Sequence, residues 1–212
     1  MPDRERRSWG LGWPFPLRFG RGLLLLVAAL WLASCTFPGS VKPTVKIGLS
    51  APFEGRYRDL GYEVLYAVRL AVRERNAAGG IANGYLVELV ALNDFGEADE
   101  AIVQARKMAV DPGVLGVLGG WSREVSAALA PEYERLGVPF VAPGVEFTVS
   151  QLPGPVGAGF RAAYEELSGG VAPGAAAVWA YEAANRLLDA LEQAARVEGR
   201  PMRAAVRAAL ER

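Results

Sequence analysis

The sequence has no histidine and one cysteine among its 212 residues. Without histidine there is no Ser-His-Asp triad, no imidazole general base and no His-containing zinc site. A lone Cys35 excludes an intramolecular disulfide and a thiolate-rich metal cluster. An excess of one charge is also lacking: 23 Lys and Arg balance 23 Asp and Glu. Nucleic-acid-binding domains carry a clear basic excess, so that class of partner is not expected. Lysine is scarce, limited to Lys42, Lys46 and Lys107, and nothing in the sequence explains that bias. What is present is an ordinary globular balance, 51% apolar and 22% charged, without an internal repeat or a low-complexity segment.

The first segment reads as an address. Leu23 to Ala33 is an uninterrupted apolar run preceded by Arg18 and Arg21 and closed by Leu32-Ala33-Ser34-Cys35. Basic flank, short apolar core and small residues before a cut site make a secretory signal. The run is too short to span a bilayer, which takes ~20 residues. The last four residues resemble a bacterial lipobox. That resemblance implies cleavage after residue 34, lipidation of Cys35 and a membrane-tethered protein outside the cytoplasm; two or more acyl chains anchor stably where one is marginal. Residues 1–17 are long for such a leader, and a later start codon is an equal alternative. A cut before Cys35 removes five arginines against Asp3 and Glu5, leaving a mildly acidic remainder. Residues 35–44, with Pro38, Gly39, Ser40 and Pro43, read as the lipidated cysteine and a flexible tether.

From residue 45 strands and helices alternate. The spacing predicts strands over Val45–Ser50, Tyr85–Asn93, Val114–Leu118 and Pro139–Ala142. Between them it predicts helices over 61–78, Ala98–Val110 and Glu124–Leu136. Val64, Leu65, Val68, Ala71 and Val72 share the inner face of the first helix, and Ile102, Ala105, Met108 and Ala109 that of the second. Gly79-Gly80 and Asp111-Pro112-Gly113 are stop signals. The run Val114–Leu118 is almost wholly apolar, as a parallel strand covered on both faces should be. The β-α-β-α-β-α-β order implies an α/β parallel sheet. Residues 144–159 are rich in Gly and Pro around one β-like stretch, Val145–Val149. Helices then follow over Phe160–Leu167, Gly174–Val197 and Pro201–Glu211, with Pro201 in a first helical turn.

Taken in order, these residues resemble a known family. Val45-Lys46-Ile47-Gly48-Leu49-Ser50-Ala51-Pro52 heads a strand, and Asn76-Ala77-Ala78-Gly79-Gly80-Ile81 ends a helix. Asn93-Asp94 ends the next strand. Gly119-Gly120-Trp121-Ser122 follows the third, and Gly137-Val138-Pro139-Phe140-Val141-Ala142-Pro143 makes the fourth. The order and spacing resemble the type I periplasmic binding proteins, in particular the branched-chain amino-acid substrate-binding lipoproteins of ABC transporters (leucine-binding-protein-like). The later Phe160-Arg161-Ala162-Ala163-Tyr164 and Ala180-Tyr181-Glu182-Ala183 are similar to that family's helices near its C-terminus. The resemblance implies a Rossmann-like three-layer lobe formed by residues 45–143, a crossover remnant at 144–159, and returning helices over 160–212. Family members have two lobes with the ligand clamped between them. Here the segment that would build the second lobe is absent, which fits a gene-level internal deletion or a natural single-lobe form.

The resemblance places a ligand carboxylate at the loop and helix start after the third strand, where free N–H groups and the helix dipole attract an anion. The matching residues are Trp121, Ser122, Arg123 and Glu124, and Gly144 matches a carbonyl that meets the ligand's amino group. The family places Ser at Arg123 and Ser or Thr at Glu146. Arg123 suits a carboxylate and Glu146 an ammonium; equally, the two pair with each other or are solvated surface charges. Trp121 is an apolar wall for a side chain or packing uncovered by the missing lobe. Tyr57 borders the same cleft or is an exposed loop residue. Asp94 reads as a turn or cap residue, and Trp179 and Tyr181 as helix packing.

Enzyme signals are weak. Gly113, Gly116, Gly119 and Gly120 do not form the dinucleotide fingerprint, and there is no P-loop and no G-x-S-x-G elbow. The expectation is therefore a solute-binding protein, not an enzyme, with no cofactor and no metal. The partners implied are a small-molecule ligand, an ABC permease and the membrane through its lipid, with dimerisation through the exposed cleft face as one way to complete the cleft. The alternative is a single-lobe, lipid-anchored interaction or sensor module without transport activity.

Overall fold

The computed structural model describes residues 42–143 and 158–212. The leader, Cys35, Gly144, Glu146 and the β-like stretch at 145–149 lie outside the described residues. Four strands form the sheet: β1 (Thr44–Ala51), β2 (Leu86–Asn93), β3 (Val114–Leu118) and β4 (Phe140–Val141). All the pairs are parallel and the order is β2-β1-β3-β4. The connecting helices are α1 (Arg58–Ala77), α2 (Ala98–Val110) and α3 (Arg123–Leu136), with a 3-10 turn at Ala82–Gly84. Three more follow β4: α4 (Ala158–Ser168), α5 (Ala175–Glu198) and α6 (Arg203–Leu210).

The sheet is covered on both faces, as its apolar strands require. All five residues of β3 are buried. One core joins Ile47 and Leu49 of β1 to α1, α4, α5 and α6; there Leu187, Leu188 and Leu191 are fully buried. The other joins Val114 and Val117 of β3 to Ala101, Ala105 and Met108 of α2 and to Leu129 and Tyr133 of α3. Each such aliphatic side chain contributes about 1.5–3 kcal/mol by leaving water. The returning helices therefore belong to the same domain as the strands. Glu63 of α1 accepts from the amide of Ala177 at 2.9 Å, satisfying a first-turn donor of α5 from another helix.

Two polar contacts finish the sheet. Val87 of the edge strand β2 is paired by a side chain: Asn76 Nδ2 donates to its carbonyl and Asn76 Oδ1 accepts from its amide, both at 2.8 Å. Arg203, at the start of α6, donates to the carbonyls of Val114 (2.8 Å), Ala109 (3.1 Å) and Asp111 (2.6 Å). These lie at the entry to β3, the end of the sheet opposite the loops described next.

Some sequence-based bounds shift. α1 starts at Arg58, not 61, and α6 at Arg203, not Pro201, because Met202 is still extended as its N-cap. The buried face of α2 is Ala101, Gln104, Ala105 and Met108, with Ile102 and Ala109 only partly covered.

Candidate functional site

The strand order fixes where a site can form. β1 leads to β2 on one side, and the chain then crosses to β3 on the other. The loops leaving β1 and β3 therefore part company, and a crevice opens at their carboxyl ends, which is where open α/β sheets bind ligands. A pocket of about 220 Å³ lies there, lined by Pro52, Tyr57, Leu60, Asp94, Gly96, Trp121, Ser122, Glu124 and Val125. Roomier grooves run over the helix surfaces, such as that along Leu65, Arg69, Val72, Leu89 and Ala91. They lack this convergence of strand ends.

Ser50, near the end of β1, organises the crevice. Its hydroxyl donates to Asp94 Oδ2 at 2.7 Å, and its carbonyl accepts from Trp121 Nε1 at 2.8 Å. One residue of the central strand thus ties down the loops after β2 and β3. Asn93 Oδ1 accepts from the amides of Phe53 (2.9 Å) and Phe95 (3.1 Å), holding the loop after β1. Asp94 Oδ1 accepts from Gly96 N at 2.9 Å, an Asx-type turn that carries Phe95 at φ 55° and Gly96 at φ 77°. A Cβ on Gly96 would lie 3.0 Å from the Tyr57 ring, so glycine here lets that ring close the wall. Gly120, at φ 75°, brings the loop after β3 against Ser126 of α3, where a Cβ would sit 2.9 Å from Oγ.

Electrostatics sharpen the picture. Asp94 is almost wholly buried. Burial pushes its carboxyl above the ordinary range, while Ser50 and the Gly96 amide pull it partly back. Ser122 is the N-cap of α3, and its hydroxyl accepts from Val125 N at 3.2 Å. The remaining first-turn N–H groups of α3 are left at the pocket's edge.

The structure brings together four of the residues that the sequence nominated: Tyr57, Trp121, Ser122 and Glu124. Tyr57 is half-exposed, with the Arg56 guanidinium 5.6 Å from its ring centroid. Arg123 is exposed beside the wall but does not line the pocket. It makes no ion pair among the described residues. Ser50 is a site residue that the sequence does not single out, because its two partners lie in loops distant in sequence. Asp94 is a turn residue, as its place after the strand predicts, and a pocket wall as well. Among the described residues no cluster of His, Cys, Asp or Glu could hold a metal ion, and no helix is long and apolar enough to cross a membrane.

An open parallel sheet with helices on both faces and a crevice at its switch point defines an α/β lobe of the doubly wound class. Residues 44–153 match the family described as periplasmic binding protein, and the chain belongs to that family. A relative is Leu/Ile/Val-binding protein homolog 1 of Brucella abortus (strain 2308), 30% identical over 112 residues, which is 53% of this chain and 30% of that protein. The chain thus matches less than a third of that relative's length. The leucine binding protein LivK of Thermotoga maritima superposes with a TM-score of 0.62 at 16% identity, over 78% of this chain and 87% of that one. A Rhodospirillum rubrum structure described as a branched-chain amino acid ABC transporter gives 0.68 at 18% identity, over 79% and 88%. At these identities the two structures speak for the fold alone. The relatives are substrate-binding proteins, not enzymes.

Proposed function

We propose that this chain is an extracytoplasmic solute-binding lipoprotein of an ABC uptake system, tethered through Cys35, and that the strand-end crevice is its half of an amino-acid site. The observation that carries this is the position of the pocket: it lies at the switch point of the sheet, in the stretch that matches the family. Trp121 and Tyr57 supply apolar walls. Ser122 and the first-turn amides of α3 offer hydrogen bonds to a carboxylate. Arg123, next to Ser122 in the chain but outside the pocket lining, is a further candidate partner for that carboxylate.

The test is calorimetric titration of the full-length chain in detergent with the twenty amino acids. Saturable binding is expected, weakened by Tyr57→Ala, a change at a half-exposed side chain that should leave the fold intact. Membrane fractionation of Cys35→Ser checks the tether, which predicts release into the soluble fraction.

A second reading has its own support. The residues between Val141 and Ala158 are too few to build another α/β lobe, and closure on a ligand normally uses two. A lone lobe suits a lipid-anchored interaction or sensor module, or a receptor completed by a second copy across the open crevice. A flat titration from a cooperatively folded protein selects the module. A ligand-dependent dimer in light scattering selects the paired receptor.

A further inference from the structure

The wall of the crevice has a sign. Among the described residues it holds two carboxylates, Asp94 and Glu124, and two aromatic rings, Tyr57 and Trp121, but neither Lys nor Arg. The nearby cations are turned to other partners or stand outside. Arg56 lies over the Tyr57 ring, Arg58 lies 5.2 Å from the centroid of Tyr62 and lines a neighbouring groove, and Arg123 is not part of the wall. Asp94 is already engaged by Ser50 and Gly96. Glu124 is different: it is exposed, and among the described residues it makes no ion pair and no side-chain hydrogen bond.

A neutral aliphatic side chain gains nothing from a free carboxylate in the wall around it. The α-ammonium that every amino acid carries does gain, and a loss in Glu124→Gln that L-leucine shares with L-arginine would assign Glu124 to that group and overturn the preference proposed below. A glutamate in a first helical turn is favourable in itself, because it answers the positive end of the helix dipole. That same charge lessens the pull of α3 on an anionic ligand. Carboxylate and aromatic faces together are the surroundings that stabilise an organic cation, the rings through their quadrupoles and the carboxylate by direct charge.

We propose that the solute of this lobe is a cationic amino acid, bearing an ammonium or guanidinium side chain, and that Glu124 sets the preference. The inference rests on the amino-acid-binding reading above and narrows it. The positive group lies against Glu124 and the Trp121 ring, with the Tyr57 ring, which carries Arg56 on one side, closing the wall and buried Asp94 behind adding negative potential. The α-carboxylate takes the first-turn amides of α3.

The experiment is calorimetry of the full-length chain with L-arginine, L-leucine and L-glutamate, at low and at raised salt. L-Arginine is expected to bind at least tenfold more tightly than L-leucine, to weaken as salt rises, and to lose at least tenfold in Glu124→Gln, whereas L-leucine loses no affinity and gains some as the charge opposing its carboxylate is removed. L-Glutamate is expected not to bind. Glu124 is exposed, so the variant should melt like the parent, which circular dichroism verifies. Leucine binding equal to or tighter than arginine, or arginine binding untouched by Glu124→Gln, overturns this inference and leaves the amino-acid reading standing. Silence with every amino acid overturns both.

Discussion

Replacing Gly61 by alanine sets two effects of opposite sign against each other. Gly61 lies in the first turns of α1, where alanine favours the helix by about 1 kcal/mol over glycine. It also faces the loop that leaves β1. A Cβ at this position would lie 2.0 Å from the carbonyl oxygen of Pro52 and 2.5 Å from its carbon. Both are backbone atoms, so no rotamer change relieves the overlap. Pro52 is fixed from behind, because the amide of Phe53 donates to Asn93. Relief requires α1 to lift by about an ångström, loosening Val64, Ala67 and Val68, all fully buried. Overpacking costs about 1–3 kcal/mol, and with backbone as the obstacle the upper end applies, leaving a net loss of about 2 kcal/mol. For a domain of this size that is a fall of about 4–8 °C in Tm. The comparison is Gly159→Ala in α4, where a Cβ would meet nothing within 4 Å; that variant should hold or gain stability. Scanning calorimetry of both variants decides the matter. If Gly61→Ala is as stable as the parent, the loop yields and the crevice is softer than its hydrogen bonds imply.

Asn76→Ala removes both side-chain bonds to the β2 edge and should cost about 1–2 kcal/mol in urea unfolding; a loss near zero would mean that water replaces the amide. Glu132 lies between Arg135 and Arg106, each at 2.7 Å, and these partners hold its carboxyl down at about 2. A lowered folded value stabilises above the ordinary carboxylate range and is lost as pH falls towards 2. Glu132→Gln should therefore melt below the parent at pH 7, with the gap closing near pH 2; a constant gap would refute the charge argument. Burial pushes Tyr164 and Tyr181 up to about 12, with Glu63 and Glu74 adding to the effect. Raised folded values stabilise below the ordinary tyrosine range and are lost as pH climbs through 12. Unfolding should thus steepen between pH 10 and 12, and in phenolate absorbance both should lag behind exposed tyrosines.

Much of the layered fold was legible because parallel strands buried on two faces read as apolar runs. Val114–Leu118 is bounded in the sequence as in the structure, and Ala98–Val110 is equally sharp, bracketed by acidic residues and Asp111-Pro112-Gly113. The inner face of α2 was misjudged at its rim. Gln104 is buried with its amide donating to Glu100, and a pattern built on apolar residues passes over it. Trp121 and Ser122 could be placed beside the crevice from the sequence because the family resemblance assigns the loop after the third strand to that place. Ser50 could not, since its importance lies in reaching two loops at once, 44 and 71 positions away. The two cases differ in kind: periodicity reports what a residue faces, and a hub is visible only once strands from distant segments are neighbours.

The grip of Arg203 on the carbonyls of Ala109, Asp111 and Val114 also sets a timetable. Its partners are 89 to 94 positions earlier. Until α6 has been made, the turn entering β3 lacks these partners, and long-range closures of this kind form slowly. A chain emerging from the ribosome can lay down α1 against β1 and β2 early, yet the entry to the central sheet stays open until the last helix arrives. Such a domain remains open to capture by chaperones at the mouth of its central sheet until α6 has been made.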